Sequence, residues 1–245
     1  MLSLSVVIPA WNEEANVAAA LERVSEVLQS LALDYEIILV NDGSRDRTGE
    51  IAKSLIGQIP RLKVVEHYPN RGYGGALKAG FAQASKDWIA FFPSDNQFDF
   101  GDIRKLLEKT DDAAIVSGYR ADRQDPLIRK VNAWGWNLVV RLLFGYLARD
   151  VDCGFKVFRR KLLDQVTLYS NGAMIDTELL AGARAREYKI AEVPVGHYPR
   201  RAGQSTGANL RVIVRAFRDY FRFRWRLWHE LRAERASAQA RTSLK

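Results

Sequence analysis

Cysteine is almost absent from this chain. Cys153 stands alone among 245 residues, beside three histidines and two methionines. One cysteine excludes an intramolecular disulfide framework, and no CxxC or Cys/His cluster offers a zinc site. A reducing, cytoplasmic compartment is therefore expected. Long hydrophobic runs are also missing. Met1-Leu2-Ser3-Leu4-Ser5 leads into a strand-like run without the basic region and apolar stretch of a signal peptide, so secretion is not expected. The most apolar long stretch, residues 131–148, is broken by Arg141 and is marginal for crossing a bilayer. It reads as a core helix, an interfacial helix or a partner face, with Trp134 and Trp136 favouring headgroup depth. Acidic residues are scarce only near the end. Residues 200–245 carry 12 Lys and Arg against three Asp and Glu, net +9, while residues 1–199 sum to −1, so the basicity is a C-terminal property.

A hydrophobic content of 47% is enough to bury a full core and excludes disorder for most of the chain. Strand-like runs at 4–8, 35–40, 62–66, 88–92 and 113–117 alternate with helical patterns at 13–31, 46–55 and 74–84, and a further helix precedes the last strand. Such alternation predicts an α/β fold with a mainly parallel sheet flanked by helices. The charged, proline-containing run at 120–126 reads as a surface loop. From 210 to 231, Arg211, Arg215, Arg218, Arg222 and Arg226 form one stripe at helical spacing, nearly opposite Ile213, Phe217, Tyr220, Phe221, Trp228 and Leu231. Two readings stay open. The helix packs its apolar face on the core with the charged face in solvent, or it lies on anionic lipid. Phe223 and Trp225 flanking the core face would let both hold. Nucleic acid is a third reading, disfavoured by the absence of a matching motif.

The chemistry concentrates in Phe91-Phe92-Pro93-Ser94-Asp95-Asn96-Gln97-Phe98-Asp99, an apolar run that breaks into carboxylates and an amide. A buried strand delivering oxygen ligands to its C-terminal edge suits ligand binding in an open α/β sheet, and Asp95 with Gln97 could share one hard cation. An ordinary polar turn is the plain alternative. Comparable segments follow the other strands: Pro9-Ala10-Trp11-Asn12-Glu13-Glu14, Asn41-Asp42-Gly43-Ser44, and the glycine turn Gly72-Tyr73-Gly74-Gly75. Asp42 could accept from a nucleobase imide or a ribose hydroxyl, with Asn12 and Glu13 closing the same crevice. A turn followed by a helix cap explains residues 41–46 equally.

In order, Val7-Ile8-Pro9-Ala10-Trp11-Asn12-Glu13-Glu14, Val40-Asn41-Asp42-Gly43-Ser44, Asn70-Arg71-Gly72-Tyr73-Gly74-Gly75 and Ser94-Asp95-Asn96-Gln97 are followed by Gly118-Tyr119-Arg120 and Asp150-Val151-Asp152-Cys153-Gly154-Phe155-Lys156. Asp176-Thr177-Glu178-Leu179 and Pro199-Arg200-Arg201-Ala202-Gly203-Gln204-Ser205 complete the series. This set resembles family 2 glycosyltransferases of the dolichyl- or polyprenyl-phosphate mannose or glucose synthase type. The resemblance implies a GT-A fold over residues 1–207, with the basic helix and tail at 208–245, and a nucleotide sugar (GDP- or UDP-hexose) lying across the strand ends. Pro9, Asn12, Glu13 and Asp42 would hold the nucleoside, and Asp95 and Gln97 would ligate Mg2+ or Mn2+. Arg200 and Ser205 would close over the diphosphate, Arg200 neutralising charge on the leaving group. Arg120 and Arg129 would engage the acceptor's lipid phosphate.

An anionic phosphate acceptor needs little general-base help in an inverting attack, whereas a hydroxyl acceptor would draw on Asp176 or Glu178. His197 is expected to be a loop residue without a role. The chain departs from the family pattern at Pro93, where the metal motif usually has its first aspartate, and at Thr206, where many relatives carry lysine. Ligation would then shift to Asp99, water and the diphosphate. The expected enzyme is a hexosyltransferase acting on a polyprenyl phosphate, peripheral at the inner face of the cytoplasmic membrane. It would bind through its interfacial and basic helices, with or without a membrane-protein partner. A saccharide or other hydroxyl acceptor, and a non-catalytic nucleotide-sugar-binding subunit, are the alternatives.

Overall fold

The computed structural model describes residues 2–121, 127–199 and 210–243. The first half alternates β1 (Ser3–Ala10), α1 (Val17–Ser30), β2 (Asp34–Asp42), α2 (Thr48–Ser54), β3 (Leu62–His67), α3 (Tyr73–Gln83) and β4 (Trp88–Phe91). The second half holds α4 (Ile103–Leu107), β5 (Ile115–Arg120), α5 (Leu127–Phe144), β6 (Lys156–Arg159), α6 (Ile175–Ala185), β7 (Ile190–Val195) and α7 (Leu210–Ser243). The seven strands form one sheet in the order β3-β2-β1-β4-β6-β5-β7. All neighbours are parallel except β6, which runs antiparallel between β4 and β5. The sheet is thus mainly parallel, as the alternation predicts. Four residues beginning with a lysine give β6 no readable period of two.

Because side chains alternate across a strand, Leu4, Val6 and Ile8 of β1 join the core beneath α1, while Val7 joins the core on the α3 face. Both faces are covered, which is why the strands read as continuous apolar runs. The helix expected from residue 13 begins at Val17, since residues 13–16 form a turn in which Glu13 carbonyl accepts from the amides of Asn16 and Val17. The helix α7 packs on α5 and α6 along one narrow line, with Tyr220, Phe223 and Leu227 buried. Trp136 and Phe144 of α5 both meet the Tyr220 ring.

That line keeps Tyr220 and the partly buried Leu231 of the expected core face of α7 and corrects its other described members. Phe221 and Trp228 are 60% and 42% exposed, and Trp225 is 64% exposed, because they lie about a quarter turn or more away from the buried line. Ile213 and Phe217 have side chains outside the described residues.

At the opposite edge from the glycine turn, Glu36 fastens four segments. It accepts from Ser5 Oγ, Ser85 N and Lys63 Nζ, each at 2.7 Å. Burial pushes this carboxyl up, but the hydrogen bonds from Lys63, Ser85 and Ser5 outweigh it and hold the pKa at about 2. Its folded pKa is depressed, so its contribution is present above the unfolded value of about 4.3 and is lost as pH falls toward 2. Glu36→Gln is expected to cost about 1–3 kcal/mol at pH 7. Urea denaturation should show the difference from the parent shrinking below pH 4; an equal difference at pH 3 and pH 7 would refute this account.

Candidate active site

Parallel pairing brings the C-terminal ends of β1, β2 and β3 to one edge, with Ala10 opposite Asn41 and Asp42 opposite His67. The loops beyond them are tied to one another. Asn12, in a left-handed conformation at φ 53°, accepts from Arg45 N at 2.8 Å and donates its own amide to Ser44 Oγ at 3.0 Å. Glu13 N donates to Thr48 Oγ1, and the buried Glu13 carboxylate accepts from Asn16 Nδ2 at 2.6 Å. Pro9 carbonyl accepts from Ser94 Oγ at 2.9 Å, joining the first loop to the segment after β4. Pro9, Asn12, Glu13 and Asp42 therefore do converge on one sheet edge.

Asp42 is buried, and its carboxylate is largely occupied by this chain. Oδ1 faces His67 Nδ1 at 2.9 Å and accepts from Arg71 N at 2.9 Å, while Oδ2 accepts from Gly72 N at 2.8 Å. Three of about four acceptor positions are taken. Asp42 thus sets the glycine turn, and His67, overlooked in the sequence, braces it from the end of β3. The turn also abuts the 170–172 backbone: Gly74 N donates to Asn171 O at 2.9 Å. A Cβ on Gly72 would lie 2.5 Å from that same oxygen.

After β4, Asp95 Oδ1 accepts from Gln97 N at 3.1 Å, and Gln97 Nε2 donates to Tyr198 O at 3.3 Å. Holding Gln97 by its nitrogen leaves Oε1 as the atom to offer a cation. Asp99 does not take up the missing carboxylate's place. It caps the short turn at Gly101 N and pairs with Arg23 at 3.0 Å. Among the described residues no group of three or more His, Cys, Asp or Glu could hold a metal. The donors present, one carboxylate and one amide oxygen, fit a hard divalent ion that takes its other ligands from a diphosphate and water. Pro93 turns its ring toward Gly154, where a Cβ would lie 3.4 Å from Pro93 Cγ and 3.5 Å from the Tyr73 hydroxyl.

Next to this lies an acidic loop held by two cations. Arg120 grips Asp150 with Nε and Nη2, both at 2.6 Å. Lys156, fully buried, donates to Asp176 Oδ1 at 2.6 Å, to Val151 O at 3.0 Å and to Cys153 O. Burial pushes the Asp176 carboxyl up and Lys156 opposes it. Asp152 keeps part of its surface open, yet burial and the charges of Asp176 and Asp150 raise it to about 7. Glu178 is fully buried and accepts from Tyr169 N at 2.7 Å and Ser170 N at 2.9 Å. Neither Asp176 nor Glu178 reaches open space as a base for an acceptor hydroxyl; both are committed inside the fold. His197 is buried and its ring meets Phe98 edge-on at 5.4 Å.

The glycosyl transferase family 2 profile matches residues 5–167. This chain belongs to that family. Among similar family members, the dodecaprenyl-phosphate galacturonate synthase of Rhizobium johnstonii is 32% identical over 208 residues, covering 83% of this chain and 61% of that protein. The undecaprenyl-phosphate 4-deoxy-4-formamido-L-arabinose transferase of Pectobacterium carotovorum is 32% identical over 214 residues, covering 86% and 64%. The chain thus spans about three fifths of the length of these relatives. Glucosyl-3-phosphoglycerate synthase of Mycobacterium tuberculosis, crystallised with Mn2+, UDP and glucosyl-3-phosphoglycerate, superposes with a TM-score of 0.65 at 23% identity. It covers 83% of this chain and 73% of its own. At that identity the likeness carries the fold, which is GT-A.

Of the family positions, Arg200 and Ser205 lie outside the described residues, and so does the side chain of Arg129. His67 has no role in the sequence, and Asp152 and Lys156 stand there within a family motif without one. Lys156 had a signal, a lone lysine in the apolar run Phe155-Lys156-Val157-Phe158, whereas the His67 contact depends on strand register. Asp152 has a raised folded pKa, so its ionisation costs stability as pH rises from about 3.9 through about 7. Asp152→Asn should leave stability unchanged at pH 4 and raise it at pH 8 by on the order of 1 kcal/mol. Thermal melts at both pH values check this, and destabilisation at pH 8 would oppose it.

Proposed function

We propose that this protein transfers a hexose, with inversion, from a nucleotide diphosphate sugar to a polyprenyl phosphate at a membrane surface. The convergence of Pro9, Asn12, Glu13, Asp42, the glycine turn and the Asp95-Gln97 pair on one sheet edge carries the reading. Two relatives whose names give polyprenyl-phosphate products or acceptors support the lipid. Residues 1–207 form the transferase unit and 208–245 the basic surface element.

In this reading the nucleoside lies between the 9–13 loop and the turn set by Asp42. Asp95 and Gln97 hold Mg2+ or Mn2+, which supplies charge neutralisation on the diphosphate. The glycine turn before α3 lets backbone approach the diphosphate closely. Arg120, held by Asp150, engages the acceptor phosphate with Arg129 as its companion, and Arg200 and Ser205 cover the leaving diphosphate. The phosphate oxygen is already anionic, so burial of Asp176 and Glu178 is no obstacle to attack on the anomeric carbon.

Incubation with labelled nucleotide sugars, undecaprenyl phosphate and Mg2+ should yield organic-extractable label. Asp95→Asn and Gln97→Ala should each lower kcat/KM at least about 100-fold. Absence of labelled lipid across a donor panel, with transfer to a saccharide instead, would reassign the acceptor.

No described helix is long and apolar enough to cross a membrane. Two exposed apolar stripes suit the lipid surface: Trp134, Leu138 and Leu142 on α5, and Phe221, Trp225 and Trp228 on α7 beside exposed arginines. Sedimentation with phosphatidylglycerol vesicles should fall at least about tenfold for Phe221→Ser/Trp225→Ser, with melting unchanged. Unaltered sedimentation would exclude this face.

A further inference from the structure

Tyr73 opens α3 directly after the glycine turn that Asp42 holds. The backbone on either side of it is fixed. Gly72, at φ 84°, caps the helix and its carbonyl accepts from Ala76 N, while Gly74 N donates to Asn171 O at 2.9 Å. The Tyr73 ring is partly buried against the core on the α3 face. A side chain held at both ends of its backbone and along its ring delivers its hydroxyl to one place, beside Gly154 and Pro93. A Cβ on Gly154 would lie 3.5 Å from that hydroxyl, so the glycine keeps this side of it uncovered. Pro93 presents a ring with no acceptor. Among the described residues none hydrogen-bonds to the Tyr73 hydroxyl, although Asp176, Asp152 and Asp95 all lie close enough for their charges to act on it. Burial first, and then neighbours that include these three carboxylates, push the phenol well above its usual pKa, so it stays protonated and able to donate.

The surroundings limit what this donor can meet. A phosphate oxygen would add negative charge to a cluster of carboxylates. An apolar group would leave a partly buried donor unmatched. A neutral polyol suits the place, since one hydroxyl accepts from Tyr73 and passes its own proton to a carboxylate oxygen, Asp152 being the acid with open surface. We infer that Tyr73 is a specificity-determining residue, donating a hydrogen bond to one hydroxyl of the hexose on the nucleotide sugar. The inference rests on the nucleotide-sugar reading above. In that reading the hexose is bonded to the diphosphate accompanied by the Asp95-Gln97 cation, and so lies next to the segment beside which this hydroxyl stands. A site that hydrogen-bonds one hydroxyl discriminates against a sugar lacking it, because the donor is then left unpaired.

The test is calorimetry on the full chain with Mg2+ and UDP-glucose, UDP-galactose and GDP-mannose as probes. It continues with the monodeoxy analogues of whichever sugar nucleotide binds and with its free nucleoside diphosphate. Tyr73→Phe, which keeps the ring, should weaken the nucleotide sugar about 3- to 10-fold and leave the free diphosphate and the melting temperature unchanged. For one monodeoxy analogue, the one lacking the contacted hydroxyl, parent and variant should bind equally. Unchanged affinity for the nucleotide sugar in Tyr73→Phe would overturn the inference. So would an equal loss for the free diphosphate or for every deoxy analogue, which would make Tyr73 a support of the turn alone. Binding of no nucleotide sugar by the parent chain would remove both this inference and the transferase reading. A sugar-selective loss without transfer to undecaprenyl phosphate would remove only the acceptor and leave the role of Tyr73 standing.

Discussion

The ion pair between Lys156 and Asp176 is the constraint on which the rest of the site hangs. Both residues are buried, and moving two charges out of water costs several kcal/mol per ion unless every donor and acceptor is met. Lys156 meets that condition with three acceptors, one carboxylate oxygen and the carbonyls of Val151 and Cys153. It stands at the first position of β6, opposite Phe91 of β4 and Ser117 of β5, and so ties the acidic loop to the middle of the sheet. Asp176 anchors the start of α6. The next residues extend the connection, Thr177 meeting the Tyr220 hydroxyl of α7 at 2.9 Å and Glu178 holding the 169–170 amides. Through Asn171 that segment supports the glycine turn. One buried pair thus links the 150–154 loop, α7 and the glycine turn.

Much of the polar chemistry at this edge is spent on holding loops rather than on facing a ligand. Asn12, Glu13 and Asp42 all bind backbone or side chains of their own neighbourhood, which fixes the crevice before anything enters it. Such preorganisation spares a ligand the cost of ordering the loops. The segment after β4 is lean in carboxylates by comparison, with Pro93 packed against Gly154 two positions before Asp95.

The strands and the order of the strand-end motifs were legible because apolar periodicity and oxygen-bearing turns are local signals. Membership of the family followed from the same ordered segments. The partners of those residues were not legible. Asp42 lies 25 positions from His67 and 29 from Arg71, and their meeting depends on the pairing register of β2 with β3. Asp176 and Glu178 carried acid chemistry on the page of the sequence, and only their burial beneath α7 and the 169–172 segment turned them into supports. The apolar face of α7 was only partly placed for a related reason: Tyr220 and Leu231 lie on the core, whereas Phe221 and Trp228 do not. A helix alone does not say which of its apolar residues a neighbour will cover, and among the described residues α5 and α6 cover the line through Tyr220, Phe223 and Leu227.

The sequence by itself determined the α/β class, the helical arginine stripe, the absence of a disulfide framework and the identity of the Asp95-Gln97 segment, because each depends on residue type and short spacing. Only the tertiary structure decided which carboxylates face outward, which are paired in the interior, and that Asp152 is the acid poised near neutral pH. Those outcomes depend on desolvation and on charges brought together from distant parts of the chain, and neither quantity exists until the sheet has closed.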